Sequence, residues 1–252
     1  MAIDLLSALD DYFELVHADT DALRMQVYVL RYQVYVLETG FESEEECEVF
    51  EAPDGAVFHY ERDEYDRRSD HFLLRHRRTG SYAATARLIL PDPDDPASLF
   101  PMEANCRLDD GKRIIDPETR KRLSEISRFA VSKDFKRRLG ESGTQAGVAD
   151  NVDVYFEPDE RRVLPHISLG LFAAVMRMIY QHRLTHSYAV MEPALHRLIG
   201  RFGVIFNPIG PQTEYHGKRI PCLGSVDEAL PNIKRVAPSV WDLITERGRL
   251  LV

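Results

Sequence analysis

A short segment in the middle of the chain, residues 125–131, sets an acid and a guanidinium among apolar residues. Glu125 and Arg128 lie in the alternating pattern that is typical of a β-strand. A buried charge needs a partner, because desolvation is costly unless pairing offsets it. Residues three apart face opposite sides of a regular strand, unless a bulge redirects one of them. The segment therefore predicts a strand whose two charged residues have different partners.

Earlier parts of the chain supply candidate partners. Arg31 and Arg87 could each hold a substrate carboxylate through paired hydrogen bonds. They could equally form a buried network with Asp63, Asp66 and Glu125. The residues alone leave both hypotheses open.

The composition indicates one soluble domain. The chain has 252 residues, of which 44% are hydrophobic and 29% charged. Its longest strongly apolar run, 167–178, is too short to span a bilayer, and the acidic N-terminus argues against a signal peptide. The three cysteines and nine histidines show no metal-ligand spacing. We expect a cytoplasmic protein with free thiols and no metal.

Charge is distributed unevenly along the chain. Residues 1–70 hold 19 acids and 5 Lys or Arg, whereas residues 107–138 hold 11 Lys or Arg and 6 acids. The basic block is either a solvated helix face or a surface that attracts an acidic partner. The net charge of −9 disfavours nucleic acid as that partner.

The periodicity of apolar residues predicts an α/β fold, a three-layer α-β-α sandwich on a mixed, mainly antiparallel sheet. Helices are predicted over 3–17, 21–37, 165–182, 194–202 and in a tail, 225–252. Strands are predicted over 57–60, 71–75, 82–90, 126–131 and 187–191, with a final hairpin of 204–209 and 219–223. An acidic loop, 42–51, and an irregular insertion, 140–163, interrupt a single domain of residues 1–252 with its core at 21–224.

Several motifs occur in an order that resembles a known family. They are Arg31-x-x-Val34-Tyr35, Phe41, Asp63-x-x-Asp66, Arg87 and Glu125-x-Ser127-Arg128-Phe129. This order is similar to that of the autoinducer synthases, which make acyl-homoserine lactones and have a GNAT-like fold. The resemblance covers about residues 24 to 224.

Other features resemble a sister branch more closely. The segments 31–42, 188–193 and 210–219 look like those of PEP-CTERM/exosortase-associated acyltransferases, which are similar to long-chain N-acyl amino acid synthases. Phe41 stands where lactone makers carry Trp, which puts S-adenosylmethionine in doubt as the amine donor. The resemblance thus implies an N-acyltransferase that joins a long acyl group from an acyl carrier protein, or from CoA, to an amino acid such as tyrosine.

The resemblance also assigns roles near the amine. Glu125 is implied as a base or water-positioning residue, with Arg128 as its catalytic neighbour; alternatively, Glu125 only orients an arginine. Four residues are implied to form a network that shapes the amine-substrate cleft, and two aromatic residues to cover it. The four are Arg31, Asp63, Asp66 and Arg87, and the two are Tyr35 and Phe41.

Further residues are assigned to the acyl donor. Ser127, Phe129 and Val131 are implied to contact the pantetheine arm, and Leu169, Phe172 and Met176 to line an acyl pocket, unless the latter are ordinary core. The surface for an acidic carrier protein is expected at Lys133, Lys136, Arg137 and Arg138. No cofactor is expected to stay bound, and the lipid product would bring the protein to a membrane.

Two alternatives remain at this stage. One is an acyl-homoserine-lactone synthase that uses S-adenosylmethionine. The other is a non-catalytic module that binds acyl groups or carrier protein in an exosortase system.

Overall fold

The computed structural model describes residues 4–52, 55–114, 116–135, 166–214 and 217–251. The chain divides into two compact units. The first unit holds Met1–Arg87 and Arg128–Ala174, and the second holds Leu88–Ser127 and Val175–Val252. Within the described ranges, no helix combines the length and the hydropathy needed to cross a membrane.

The first unit begins with two helices and an edge strand. Its helices are α1 (Leu5–Tyr12), α2 (Asp21–Tyr32) and the start of α5 (Ile167–Gln181). Its strands are β1 (Phe13–His17), β2 (Glu48–Glu51), β3 (Val57–Tyr60), β4 (Ser69–His76), most of β5 (Tyr82–Ile89) and the end of β6 (Leu123–Val131). Short helical turns cover Gln33–Glu38 (a π-helix), Glu44–Glu46, Glu64–Arg68 and Lys133–Phe135. The strand order in this unit is β1-β4-β5-β6, and β2 pairs separately with β3.

The predicted N-terminal helix of residues 3–17 is wrong beyond Tyr12. The last five residues form β1, which pairs antiparallel with β4, Phe13 lying opposite His76. Glu14 and Arg75 form an ion pair across these strands at 2.5 Å. The apolar spacing fits a helix, but backbone pairing with a strand nearly sixty residues away decides the structure.

The predicted acidic loop of residues 42–51 is also wrong in part. Glu48–Glu51 is strand β2, paired antiparallel with β3 so that Phe50 lies opposite Phe58. At the end of this hairpin that lies away from the turn, the Tyr60 hydroxyl donates to Glu48 at 2.7 Å. Cross-strand pairs of this kind stabilise a strand whose acidic sequence alone predicts a loop.

Helix α2 is positioned by one apolar stripe. Thr20 caps its N-terminus by accepting a hydrogen bond from the Leu23 amide. The stripe packs into a core cluster whose members are Ala18, Val27, Leu30, Val34, Tyr35, Leu73 and Ala130. The predicted helix over 21–37 is confirmed, with its last turn wound as the π-helix Gln33–Glu38. This packing fixes Arg31, in the last turn of α2, against the inside of the unit.

The second unit contains the start of β6, the last residues of β5 and the C-terminal half of the chain. Its further strands are β7 (His186–Met191), β8 (Asn207–Pro208), β9 (Thr213–Glu214) and β10 (Lys218–Ser225). Its helices are α3 (Pro101–Asn105), α4 (Pro117–Arg120), the end of α5, α6 (Pro193–Arg201), α7 (Val226–Val236) and α8 (Pro238–Thr245). The strand order is β6-β7-β10-β8, with β9 also on β10. β6 runs parallel to β7, with Glu125 opposite Tyr188, whereas the pairs of β10 are antiparallel.

The mixed, mainly antiparallel sheet with helices agrees with the fold predicted from the sequence. The predicted strands 57–60, 71–75 and 82–90, the final hairpin and the helical tail are all present within a few residues. The predicted insertion of residues 140–163 lies outside the described residues.

Candidate functional site

The acids of the site lie in one turn directly after β3. Asp63 caps the turn Glu64–Arg68 by accepting from the Tyr65 amide at 2.9 Å. Asp66 closes a capping box, because its Oδ2 accepts from the Asp63 amide at 2.7 Å. The spacing of two acids three residues apart therefore has a local structural cause. Oδ2 of Asp63 and Oδ1 of Asp66 take no part in these caps, and both accept from arginines of other elements.

Arg31 is the fully buried centre of these contacts. Its Nε and Nη2 donate to the two oxygens of Glu61 at 2.6 and 2.9 Å. Its Nη1 donates to Oδ1 of Asp66 at 2.6 Å. This is the bidentate geometry in which a buried guanidinium is well compensated.

Arg87, near the end of β5, binds the two acids of the same turn. Its Nη1 donates to Oδ1 of Asp63 at 2.6 Å and to Oδ1 of Asp66 at 2.9 Å. The buried ring of His71 lies beside the same acid, its Nε2 3.5 Å from Oδ1 of Asp66.

Arg128 reaches the same acids from β6. Its backbone is left-handed, with φ 47°, a conformation that non-glycine residues seldom adopt. Its Nη2 lies 2.9 Å from Glu61, 3.2 Å from Asp63 and 3.3 Å from Glu42. The guanidinium also stands over the ring of Tyr35, 5.4 Å from the centroid. We call this left-handed residue in β6 the kink of the strand.

We call these three arginines and four acids the Arg128 network: Arg31, Arg87, Arg128, Glu42, Glu61, Asp63 and Asp66. The sequence named five of the seven and missed Glu42 and Glu61. Glu61 joins Arg31 to Arg128, and it is the first acid of the run Glu61-x-Asp63-x-x-Asp66. That run immediately after a strand is the signal that indicates it.

Electrostatics keep two buried acids of the network, Glu61 and Asp66, ionised. Burial opposes the charge of Glu61, but Arg31 and Arg128 outweigh it and lower its pKa to about 2. The pKa of Asp66 is likewise far below its usual range, where Arg31 and Arg87 outweigh burial. Burial, reinforced by Arg31, lowers the pKa of His71 to about 3. Neutral His71 therefore lies beside paired charges at neutral pH.

Tyr35 lies under the Arg128 guanidinium, and Phe41 lies next to Tyr35. Tyr35 is buried in the core cluster, and burial raises its pKa to about 12. Phe41 packs against the same cluster and donates its backbone N–H to the Tyr35 carbonyl at 2.8 Å. Their predicted role as a cover of the cleft stays a prediction.

Glu125 has different surroundings from Arg128. It is buried in the second unit, where its Oε2 accepts from the Met102 amide at 2.9 Å in the first turn of α3. Arg128 belongs to the first unit, so the two charged residues of the motif have the separate partners that the strand pattern predicts. The catalytic role of Glu125 stays a prediction.

The predicted acyl-binding residues are mostly buried. The Phe129 ring packs edge-on against Phe172, with centroids 6.4 Å apart. Val131, Leu169 and Met176 are almost fully buried, and Ser127 is partly exposed. Burial of this kind suits both an acyl pocket and an ordinary core. The acyl-binding role of these residues stays a prediction.

Of the four residues predicted to bind a carrier protein, one lies within the described part of the chain. Lys133 is exposed, and its backbone N–H donates to Glu38 at 2.8 Å. Lys136, Arg137 and Arg138 lie outside the described residues.

An open cleft of about 680 Å³ borders two acids of the network, Asp63 and Asp66. Both signs of charge line it, together with one aromatic ring: Arg24, Tyr28, Glu48, Arg62, Asp63, Glu64, Asp66, Arg67 and Ser69. Within the described ranges, no group of three or more His, Cys, Asp or Glu side chains is arranged to hold a metal ion. The cleft therefore offers charge pairing to a small polar molecule.

Comparison with known proteins identifies a matching domain family and structures of similar fold. Residues 30–144 match the acetyltransferase (GNAT) domain family. No curated protein sequence matches the chain. The predicted GNAT-like α/β fold is confirmed, and so is the prediction of an acyltransferase.

Solved structures of similar fold cover most of the chain. The AHL synthase LasI is 16% identical with a TM-score of 0.53, over 90% of this chain and 95% of its own. The CoA-dependent acyl-homoserine lactone synthase BjaI, with SAM and isopentyl-CoA, is 18% identical with a TM-score of 0.52, over 94% and 88%. FeeM, an N-acyl amino acid synthase from uncultured soil microbes, is 12% identical with a TM-score of 0.51, over 87% and 93%.

Proposed function

We propose that the chain is an N-acyltransferase that joins a long-chain fatty acyl group, carried as a thioester, to the α-amine of an amino acid such as tyrosine. The observation that carries this proposal is the cleft of mixed charge beside Asp63 and Asp66. A free amino acid is a zwitterion, so it needs carboxylates for its ammonium and arginines for its carboxylate. The cleft supplies both within one small volume.

The residues that line the cleft suit an aromatic amino acid in particular. Tyr28 contributes an aromatic ring to the cleft lining together with the charges of Arg24 and Arg62, and an aromatic substrate would contact that ring. Carboxylates of Asp63 and Glu64 would hold the ammonium. The network behind Asp63 keeps that carboxylate in place through Arg87.

Amide formation needs the ammonium to lose one proton before its nitrogen can attack. The nitrogen then bonds to the thioester carbon, the C–S bond breaks, and the thiol leaves with a proton. We assign the first proton transfer to Glu125, directly or through a water. The Met102 amide holds one of its oxygens and so fixes the orientation of the carboxylate. Arg128 would orient the substrate from the exposed side of its guanidinium.

The acyl donor would lie along the end of β6. We propose that Ser127 and the backbone groups of Phe129 and Val131 meet the pantetheine amides, and that a nearby N–H stabilises the oxyanion. The apolar tail would lie against Phe172, which already packs on Phe129, and along Leu169 and Met176.

An acyl carrier protein is the donor we favour over CoA, because residues 107–138 are strongly basic and carrier proteins are acidic. Reversing Arg137 and Arg138 to Glu should weaken association with the carrier at low salt. Reversing Arg75, an exposed arginine paired with Glu14, is the matched control. An unchanged association constant in the Arg137/Arg138 variant would remove these residues from the carrier surface and favour CoA.

An acyl-homoserine-lactone synthase is the second candidate. LasI and BjaI share the fold to the same degree as FeeM, and both are lactone synthases by name. The two candidates differ in whether S-adenosylmethionine is consumed and methylthioadenosine released. Phe41, in place of the Trp of lactone makers, favours the amino acid. A cytoplasmic role in an exosortase system also remains part of the proposal.

The test is mass spectrometry of lipid extracts from a bacterial host that expresses the chain. Arg128→Ala is the inactive comparison, and Arg75→Ala is a control for loss of an arginine elsewhere. New long-chain N-acyl amino acids in the wild-type and Arg75→Ala extracts alone would support the proposal. Acyl-homoserine lactones would transfer it to the second candidate. Identical extracts from all strains would leave a binding module without turnover.

A further inference from the structure

Glu61 connects the two arginines that come from different elements of the first unit. It follows β3 directly, and its backbone N–H donates to the Tyr28 carbonyl of α2 at 3.1 Å. Its carboxylate receives Arg31 in bidentate fashion, at 2.6 and 2.9 Å. The same two oxygens receive Nη2 and Nε of Arg128, at 2.9 and 3.3 Å. One side chain thus fixes the end of α2 to the kink of β6.

The acids that contact Arg128 differ in their distance from its guanidinium and in the exposure of their side chains. Glu61 gives the shortest contact, and its side chain is only 7% exposed. Asp63 is farther from Arg128 and 26% exposed, while Arg128 itself is 18% exposed. Glu61 therefore holds the buried side of the guanidinium, and the opposite side is the part that solvent or substrate can reach.

The backbone conformation of Arg128 is a second reason to regard its contact with Glu61 as important. A left-handed conformation at a non-glycine residue persists when its surroundings hold it there. The bonds to Glu61 and the ring of Tyr35 are such surroundings. Without the Glu61 charge, Asp63 and Glu42 would draw the guanidinium outward, since they lie only 3.2 and 3.3 Å away.

We infer that Glu61 is a positioning residue: it sets the place of the Arg128 guanidinium and, through it, the binding of the amine substrate. This inference rests on the proposed N-acyltransferase function. Glu61 is buried behind two arginines, so it acts through Arg128 and does not touch the substrate.

The test compares steady-state kinetics of the full chain with those of Glu61→Gln, varying the amine and the acyl thioester separately. We expect kcat/KM for the amine to fall by about tenfold, the usual scale for loss of one charge-assisted contact. KM for the thioester should stay within about twofold, since Glu61 is assigned to the amine side only. Glu61→Asp, which keeps the charge but shortens the reach, should give a smaller fall.

Glu246→Gln is the matched control. Glu246 is also shared by two arginines, at 2.5 Å from Arg177 and in an ion pair with Arg249, and its side chain is 9% exposed. It belongs to no proposed site. Its replacement should cost less stability, because Arg249 is exposed, and should leave kcat/KM per folded molecule within about twofold.

A double-mutant cycle separates positioning from general damage. In an Arg128→Gln background, Glu61→Gln should change the residual kcat/KM by less than about twofold, because its effect passes through Arg128. A full effect in that background, or equal losses in Glu61→Gln and Glu246→Gln, would overturn the inference alone. A wild-type chain that forms no amide would instead overturn the proposed function and this inference with it.

Discussion

The two units each contain a buried cluster of arginine and glutamate. The clusters differ in the partners of their arginines and in whether one side is exposed. In the second unit, Arg120 donates to both oxygens of Glu103 at 2.9 and 2.8 Å, and its other donors reach the carbonyls of Pro96, Ser98 and Ile114. In the first unit, each arginine of the Arg128 network pairs with at least two acids, and one end of the network is partly exposed.

This difference indicates two purposes for similar chemistry. Arg120 ties together two loop segments, at residues 96–98 and at Ile114, through their backbone carbonyls, and Phe100 covers the guanidinium. Such a cluster is complete without a ligand. The Arg128 network has four carboxylates for three arginines, so it presents excess negative charge at its exposed end. A cluster of that kind supports the fold and, as we propose, also binds the substrate, and mutation can distinguish it from the first kind.

The largest effect is expected for stability, on removal of a buried arginine from either cluster. Arg31→Met leaves Glu61 and Asp66 buried without their main partner, and Arg120→Met does the same to Glu103. Each should lower the free energy of unfolding by about 3 to 5 kcal/mol. The measurement is urea denaturation, with Arg24→Met, a half-exposed arginine of α2, as a control expected to cost less than about 1 kcal/mol. A loss below about 1 kcal/mol for Arg31→Met would mean that the network does not support the fold.

The next largest effect is on kcat/KM, which should fall for variants of the Arg128 network but not for variants of the Arg120 cluster. Arg128→Gly and Arg128→Ala should both lower kcat/KM by on the order of 100-fold, because the guanidinium is lost. Arg128→Gly should be the more stable of the two by about 1 kcal/mol, since glycine adopts the left-handed backbone without strain. Arg120→Met should keep its activity per folded molecule. Retained activity in Arg128→Gly would show that only the kink of β6 matters.

A smaller effect concerns the pH dependence of stability. The pKa of Glu61 is about 2 in the folded chain, against an ordinary value of 4.5. As the pH falls below 4.5 the unfolded chain takes up the proton first, so Glu61 stabilises above that pH and its contribution, about 2 to 3 kcal/mol, is lost by about pH 2. Glu61→Gln should flatten the fall in unfolding free energy between pH 5 and 2. Denaturation at a series of pH values checks this, and an unchanged slope would contradict the charge pairing.

The smallest effect is expected at His71. Within the described structure neither ring nitrogen has a hydrogen-bond partner, and the pKa is lowered to about 3. Stability that depends on neutral His71 is therefore present above its ordinary pKa of 6.5 and is lost as the pH falls toward 3. His71→Phe should change stability at pH 7 by less than about 1 kcal/mol, because a ring of similar shape replaces unpaired polar atoms. It should also flatten the curve between pH 6.5 and 3; a steeper curve would assign His71 a charged partner.

Much of the network follows from the sequence, because local chemistry determines it. The acids at 63 and 66 cap their own turn, and Arg31 lies on the stripe of α2 that a period of 3.6 predicts to face inward. Glu61 was missed because an acid at the end of a strand is usually exposed. Only the approach of Arg31 and Arg128 from other elements makes it a buried partner.

The errors in the fold have the same origin. Residues 13–17 fit a helical pattern, and residues 48–51 read as an acidic loop, yet both are strands. In each case the deciding contact is a neighbouring strand, which no short window of sequence contains. The left-handed backbone of Arg128 is likewise set by its surroundings.

The most direct test of the account is product analysis with the purified chain. Acyl carrier protein and CoA thioesters of a long fatty acid would each be supplied with tyrosine, other amino acids and S-adenosylmethionine, and products identified by mass spectrometry. We predict an N-acyl amino acid from the wild-type chain and from Arg120→Met, and on the order of 100-fold less of it from Arg128→Gly in the same time. Equal amounts of product from Arg128→Gly and Arg120→Met would contradict the distinction between the two clusters on which the proposed site depends.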